Sequence, residues 1–140
     1  MRFEIQKTFR FEAAHRLLDP YPTHGKCHSN HGHSFSVTVR IGAEKLDPRG
    51  MVMEFSDLAP LKDFVRDHLD HASLLRFDDP LLAWLKSDGQ KVFATQTNPT
   101  SEHLAEILLK TCQNFFEKNS VRVISVEVAE TCTAAATARP

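Results

Sequence analysis

The chain has 140 residues, 41% of them hydrophobic, which predicts a single soluble domain over residues 1–140 with a buried core. Its 17 Lys and Arg residues balance 18 Asp and Glu residues, so charge predicts no binding to nucleic acid or to an anionic membrane. The N-terminus lacks the apolar core of a signal peptide, and no apolar stretch approaches the roughly 20 residues that cross a bilayer. With only three cysteines and no disulfide spacing, we expect a cytoplasmic protein.

Two strands are predicted first along the chain. Residues 2–11 place apolar side chains at odd positions, and residues 34–41 repeat this alternation. FEAAH continues the first strand to residue 15. The segment between the strands contains two prolines and a glycine, so we expect a loop rather than a tight hairpin turn.

Helical spacing begins at Ser56, a candidate N-cap, with Pro60 in the first turn, and extends to Leu69. In residues 76–99 we predict a short helix over DDPLLAWLK, a turn at SDG and a short strand in KVFATQT. Thr100 opens the clearest helix, which continues to about Lys118, and residues 121–130 form a last strand.

This order contains no βαβ repeat and predicts an α+β fold. We expect an antiparallel four-stranded sheet with helices packed on one face. The exposed edges of such a small sheet favour oligomerisation through the sheet.

Metal-capable side chains are concentrated in CHSNHGHSF, residues 27–35. His31 and His33 are two residues apart, so on a strand both imidazoles point to one face. His15 shares the core-facing parity of the first strand and is the best candidate for a third ligand. An isolated HxH pair is more often a polar surface pair, but the third histidine favours a zinc site with an open fourth position. His24 and His28 compete as ligands, but they lie in the loop, where solvent exposure is expected, and we leave them out of the site.

Cys27 has two interpretations. It is either a fourth zinc ligand, which would close the site, or a free thiol whose pKa falls near a cation and which then acts in chemistry. Cys112, on the apolar helix, fits an inert buried thiol.

Two acidic residues are candidates for chemistry. Asp70 precedes His71 and could fix its tautomer in an acid–base pair, although neighbours on a helix point apart and commonly form only a polar helix end. Glu130 continues the buried parity of the last strand. Either the strand ends there in solvent, or the carboxylate accepts two N–H bonds from a polar ligand.

Five motifs in order, FEAAHRL, CHSNHGHSF, LDH, NPTSEHLA and AETCTA, span almost the whole chain. Together they resemble the 6-pyruvoyl-tetrahydropterin synthase superfamily. The three residues between Cys27 and HGH are most similar to the bacterial 6-carboxytetrahydropterin synthase branch, which acts in queuosine (7-deazaguanine) biosynthesis.

The resemblance implies a tunnelling fold (T-fold) whose subunits form an oligomeric barrel, usually a homohexamer of two trimers with intersubunit active sites. It implies a single Zn²⁺ per subunit on His15, His31 and His33. It also implies a catalytic set of Cys27, Asp70 and His71, with Glu130 as the pterin anchor. Thr100 and Ser101 would line the pocket of this small-molecule pterin substrate.

The activity implied is conversion of 7,8-dihydroneopterin triphosphate to 6-carboxy-5,6,7,8-tetrahydropterin, with loss of triphosphate and acetaldehyde. Two alternatives are a 6-pyruvoyl-tetrahydropterin synthase, which only eliminates triphosphate, and a non-catalytic zinc- or pterin-binding module. Binding alone would not require Cys27, Asp70 and His71 together.

Overall fold

Two long neighbouring strands form the centre of the fold. The computed structural model describes residues 1–18 and 25–140. Strand β1 (Phe3–His15) runs antiparallel to β2 (His31–Ala43), and the register places His15 opposite His31. The predicted continuation of the first strand through FEAAH is confirmed, and β2 begins three residues earlier than the predicted strand.

Within the described residues the sheet has six strands, where four were predicted. They lie in the order β4-β3-β1-β2-β5-β6. The remaining strands are β3 (Ala72–Arg76), β4 (Val92–Thr95), β5 (Arg122–Thr131) and β6 (Ala134–Ala138). The pairings of β1 with β3 and of β3 with β4 are parallel, so the all-antiparallel prediction was wrong.

Each missed strand has a weak sequence signal. The strand β3, ASLLR, is buried on both faces at Leu74 and Leu75, so it shows no alternation of apolar and polar residues. The strand β6 consists of four alanines and a threonine, and alanine is depleted in strands. The predicted strands in KVFATQT and at residues 121–130 are confirmed as β4 and β5.

Three helical segments lie where periodicity predicted them. The first contains a 3-10 turn (Phe55–Leu58), helix α1 (Ala59–Phe64) and a π turn (Val65–Leu69). Helix α2 spans Pro80–Ser87 and helix α3 spans Ser101–Phe116. Ser56 is not the N-cap, because the segment begins at Phe55, whereas Thr100 caps α3 by accepting a hydrogen bond from the His103 amide. Within residues 1–18 and 25–140, no helix is long and apolar enough to span a membrane.

The helices do not all cover one face of the sheet. The main core packs α1 and α3 against the apolar face of β1, β2 and β5, and it includes Leu74. Leu75 belongs instead to a smaller cluster with Leu82 and Leu85 of α2. Because successive strand residues point to opposite faces, α2 covers the other face, as the connection between two parallel strands.

Candidate active site

Three histidines meet at the end of the β1–β2 pair. His15 is 2% exposed and lies opposite His31, and the ring centroids of these two are 4.6 Å apart. The centroid of His33 lies 5.1 Å from that of His15 and 4.9 Å from that of His31. One ring nitrogen from each of the three lies within 4.8 Å of the others. The shared strand parity therefore converges the imidazoles as predicted.

Backbone carbonyls orient two of the rings. The Nδ1 of His15 lies 2.8 Å from the carbonyl oxygen of Pro99, and the Nδ1 of His31 lies 2.6 Å from that of Ser29. With Nδ1–H donating in each ring, Nε2 keeps a free lone pair, the usual arrangement of a histidine that binds a metal. The Nε2 of His33 is buried and has no hydrogen-bond partner in the described residues.

These donors fit a zinc ion. Nitrogens bound to one tetrahedral zinc lie about 3.3 Å apart, so small side-chain rotations would bring the three histidines into place. Burial lowers the pKa of His15, and the neighbouring His31 and His33 lower it further against opposing effects of Pro99 and Glu130. The lowered pKa keeps the imidazole neutral, which metal binding requires.

Glu130 lies beside the three histidines. One carboxylate oxygen is 3.8 Å from the Nε2 of His15, and the other is 3.9 Å from the Nε2 of His33. Pairing between β5 and β6 shifts register between Ala129 and Thr131, which marks an irregularity at Glu130. With 29% of its side chain exposed, the carboxylate stays open to a ligand that enters next to the histidines.

The N-terminus of α3 adjoins the same place. Pro99, whose carbonyl holds His15, immediately precedes Thr100 and Ser101. The hydroxyl of Ser101 is buried and has no hydrogen-bond partner in the described residues, whereas that of Thr100 accepts a hydrogen bond as the helix cap. Ser101 is therefore the freer of the two to bind a ligand.

Cys27 lies in an exposed 3-10 turn, Lys26–His28, and its carbonyl accepts a 2.9 Å hydrogen bond from the Leu17 amide. Within residues 1–18 and 25–140, the metal-capable group at this end of the sheet consists of the three histidines without Cys27. This arrangement favours the free-thiol interpretation over a fourth ligand. Of the two loop histidines, His28 does not belong to this group, and His24 lies outside the described residues.

Asp70 and His71 form a direct pair. The Nδ1 of His71 lies 3.0 Å from one Asp70 oxygen, and the other oxygen accepts a 2.9 Å hydrogen bond from the Glu12 amide. That amide lowers the pKa of Asp70 most, ahead of His71, so the carboxylate is ionised at neutral pH. His71 has a φ of 62°, which turns its side chain away from the helical path and lets neighbouring residues meet.

The Asp70–His71 pair makes no direct contact with the three histidines among the described residues of its own chain. The side chain of His71 is 79% exposed, and it lines a pocket of about 440 Å³ together with Glu12, Ser34 and His33. Glu12 and Ser34 have even numbers on β1 and β2, so they point away from α1 and α3. Among the described residues, His71 has neither a hydrogen bond nor a ring contact with the three histidines. Within one subunit the two halves of the predicted site therefore border a common pocket without direct contact between their side chains.

The family model for 6-pyruvoyl tetrahydropterin synthase matches residues 4–140. The chain belongs to this family. It is 31% identical to the 6-carboxy-5,6,7,8-tetrahydropterin synthase of Aquifex aeolicus over 157 aligned residues, which cover 97% of each chain. The enzyme of the same name from Synechocystis is 41% identical over 138 residues, covering 94% of this chain and 89% of the relative.

A solved structure supports the same fold. The 6-pyruvoyl tetrahydropterin synthase of Caenorhabditis elegans superposes with a TM-score of 0.72 at 25% identity, over 99% of this chain and 95% of that one. The family resemblance drawn from the five motifs is confirmed.

The sequence did not predict which residues hold the site of this 6-pyruvoyl tetrahydropterin synthase family member in place. The carbonyl of Pro99 is 84 residues from its partner His15, and no periodicity signals such a contact. Asn98 and Asp79 also contact the segment after His15 from far along the chain. The only local signal was the Asn98-Pro99 dipeptide, which marks a turn but not its partner.

Proposed function

We propose that the protein is a zinc-dependent 6-carboxytetrahydropterin synthase of queuosine (7-deazaguanine) biosynthesis. It would convert 7,8-dihydroneopterin triphosphate to 6-carboxy-5,6,7,8-tetrahydropterin, releasing triphosphate and acetaldehyde. The observation that carries the proposal is the group of three histidines with a carboxylate beside it. A bare structural role would not require a buried imidazole nitrogen without a partner at this position.

The pterin ring is assigned to Glu130 and the start of α3. A carboxylate accepts two parallel N–H bonds, and a 2-aminopyrimidinone ring offers such a pair of donors. The unpartnered hydroxyl of Ser101 supplies a further hydrogen bond, and Thr100 borders the pocket. One oxygen of Glu130 lies 3.8 Å from the Nε2 of His15. A pterin ring bound to Glu130 would therefore place the side chain of the substrate near the metal.

A zinc ion held by His15, His31 and His33 would supply Lewis-acid chemistry to the hydroxyls of the substrate side chain. Cys27 moves protons at the side-chain carbons. His71 is the second acid–base group, and the ionised Asp70 fixes its tautomer through the 3.0 Å contact. Triphosphate leaves by elimination, and cleavage of a carbon–carbon bond with uptake of water then yields acetaldehyde.

The active site is proposed to form between subunits. His71 opens into a pocket on the face that α1 and α3 leave uncovered, whereas His15 is buried on the opposite face. A second copy can present its Asp70–His71 pair to the histidines of the first. The protein would then be a homo-oligomer, with a hexamer of two trimers as the assembly that the family resemblance implies.

Product analysis separates this reaction from its alternatives. Zinc-loaded protein is incubated with 7,8-dihydroneopterin triphosphate and a hydrazine that traps aldehydes, and the products are identified by mass. We expect acetaldehyde and 6-carboxytetrahydropterin in equal amounts, and neither with His33→Ala. Accumulation of 6-pyruvoyl-tetrahydropterin without acetaldehyde would replace the proposal with the 6-pyruvoyl reaction. Binding without turnover would indicate a non-catalytic module.

A further inference from the structure

Each residue that leaves β1 has a polar partner. We call His15–Leu18 the β1 exit. His15 contacts the Pro99 carbonyl, and the Arg16 guanidinium bonds the Asp79 carboxylate. The Leu17 amide donates to the Cys27 carbonyl, and Leu18 contacts the side chain of Asn98. Three of these partners belong to the connection between β3 and α3. That connection therefore holds the β1 exit, which begins at a candidate metal ligand.

The contact between Asn98 and Leu18 is double. The Leu18 amide donates to the Oδ1 of Asn98 at 2.9 Å, and the Nδ2 of Asn98 donates to the Leu18 carbonyl at 2.8 Å. A side-chain amide has both a donor and an acceptor and can therefore bond both polar groups of one backbone residue. The side chain of Asn98 thus replaces a neighbouring strand at the point where β1 pairing has ended.

Asn98 is itself fixed to α3. Its carbonyl accepts a 2.8 Å hydrogen bond from the Thr100 amide and lies 2.9 Å from the Nδ1 of His103. These bonds use the backbone of Asn98 and leave its side-chain amide for Leu18. The side chain of Asn98 thereby holds Leu18 against the N-terminus of α3, a helix of sixteen residues.

The next residue back connects to Cys27. The Leu17 amide donates to the Cys27 carbonyl at 2.9 Å, and the short turn that carries Cys27 has no buried residue. Because no residue of this turn is buried, a backbone hydrogen bond such as this one contributes to its position. We propose that Asn98 is a positioning residue for Cys27, acting through Leu18 and Leu17. Its catalytic consequence rests on the proposed function, but the positioning itself does not.

Hydrogen exchange at single amides tests this chain of contacts. In Asn98→Ala, the Leu18 amide loses its own partner, so its faster exchange is expected on any account. The diagnostic amide is that of Leu17, which does not touch Asn98. We expect it to exchange about tenfold faster than in the unaltered protein, because two hydrogen bonds no longer hold the adjacent residue.

The control is Asn114→Ala, on an exposed position of α3, which should leave both amides unchanged. If Asn98→Ala does not fold, Asn98→Asp carries the test. It keeps the acceptor for the Leu18 amide but has no donor for the Leu18 carbonyl, so faster exchange at Leu17 is again expected. Faster exchange at Leu18 with Leu17 unchanged, in either variant, would overturn the proposal.

Kinetics adds a second readout. Bound zinc should be unchanged in Asn98→Ala, because the partner of His15 is a backbone carbonyl. We expect kcat to fall about tenfold and KM to change less than twofold, since the substrate-binding groups are not altered. A raised KM with unchanged kcat would contradict a role in positioning Cys27. If the unaltered protein has no synthase activity, the proposed function fails while the exchange result still decides the structural claim.

Discussion

The ion pair between Arg16 and Asp79 gives the sharpest test of how the connection before α3 holds the β1 exit. The Asp79 side chain is fully buried, and two nitrogens of Arg16 bond its two oxygens. Burial alone would raise the pKa of Asp79, but Arg16 and the Leu81 amide outweigh it and lower the pKa. The wild-type pair therefore stabilises the fold above about pH 4, and this contribution is lost as the pH falls through the lowered pKa of the folded state.

Arg16→Met keeps the aliphatic stem but leaves a buried carboxylate without its cation. An unpaired buried charge costs roughly 3–5 kcal/mol. The carboxylate can instead take up a proton, which at pH 7 costs about 1.36 kcal/mol for each of about three pKa units, or about 4 kcal/mol. Because the cheaper route is taken, we expect Arg16→Met to lower the free energy of unfolding by about 3–4 kcal/mol at pH 7. At pH 5 protonation of Asp79 is easier, which limits the decrease to about 1.5 kcal/mol.

The assay is urea unfolding of metal-free protein at both pH values, at one protomer concentration. Both proteins, with and without Arg16→Met, carry His28→Gln in this assay, because the charge of His28 acts on Asp79 and would not cancel in the difference. The control is Asp79→Asn, which leaves Arg16, whose side chain is 20% exposed, free to hydrate. Asp79→Asn should lower the free energy of unfolding by less than Arg16→Met does at pH 7, and this decrease should depend little on pH. An equal loss for Arg16→Met at pH 5 and pH 7 would refute the reasoning.

Three further predictions concern single side chains. Elemental analysis should find metal lost in His31→Ala and His33→Ala but retained in Cys27→Ala, and loss in the last variant would make the thiol a ligand. Glu130→Gln should retain zinc and weaken binding of a pterin without the triphosphate side chain by about 1.5–3 kcal/mol, measured by calorimetry, because a charge-assisted acceptor is removed. Unchanged affinity, or loss of zinc, would remove Glu130 from the role of pterin anchor. Burial raises the pKa of the Cys112 thiol to about 12, so this residue should resist alkylation at pH 8 while the protein is folded, and its rapid labelling would contradict the packed core.

The candidate site was predictable where it depends on strand parity. His15 and His31 lie on paired strands, and His33 follows two residues later, so alternation alone brings their rings together. Cross-strand neighbours of this kind are a local consequence of register.

The rest depends on contacts far apart in sequence. No pattern reveals that Pro99 holds His15 or that Asn98 holds Leu18, because such partners are set by how the chain crosses the finished sheet. The strand β3 was missed for a related reason. Its two buried faces belong to different clusters, one with the main core and one with α2, and burial on both faces removes the alternation by which strands are recognised.

Complementation between chains tests the central claim most directly: that one subunit supplies the metal ligands and Cys27, and another supplies His71. Cys27→Ala and His71→Ala chains are each assayed alone and after refolding together in equal amounts. We predict that each variant alone is inactive. Random mixing should restore about one quarter of the unaltered activity, since that share of sites combines an intact Cys27 with an intact His71 from a neighbour. A mixture no more active than the separate variants would contradict a site shared between subunits.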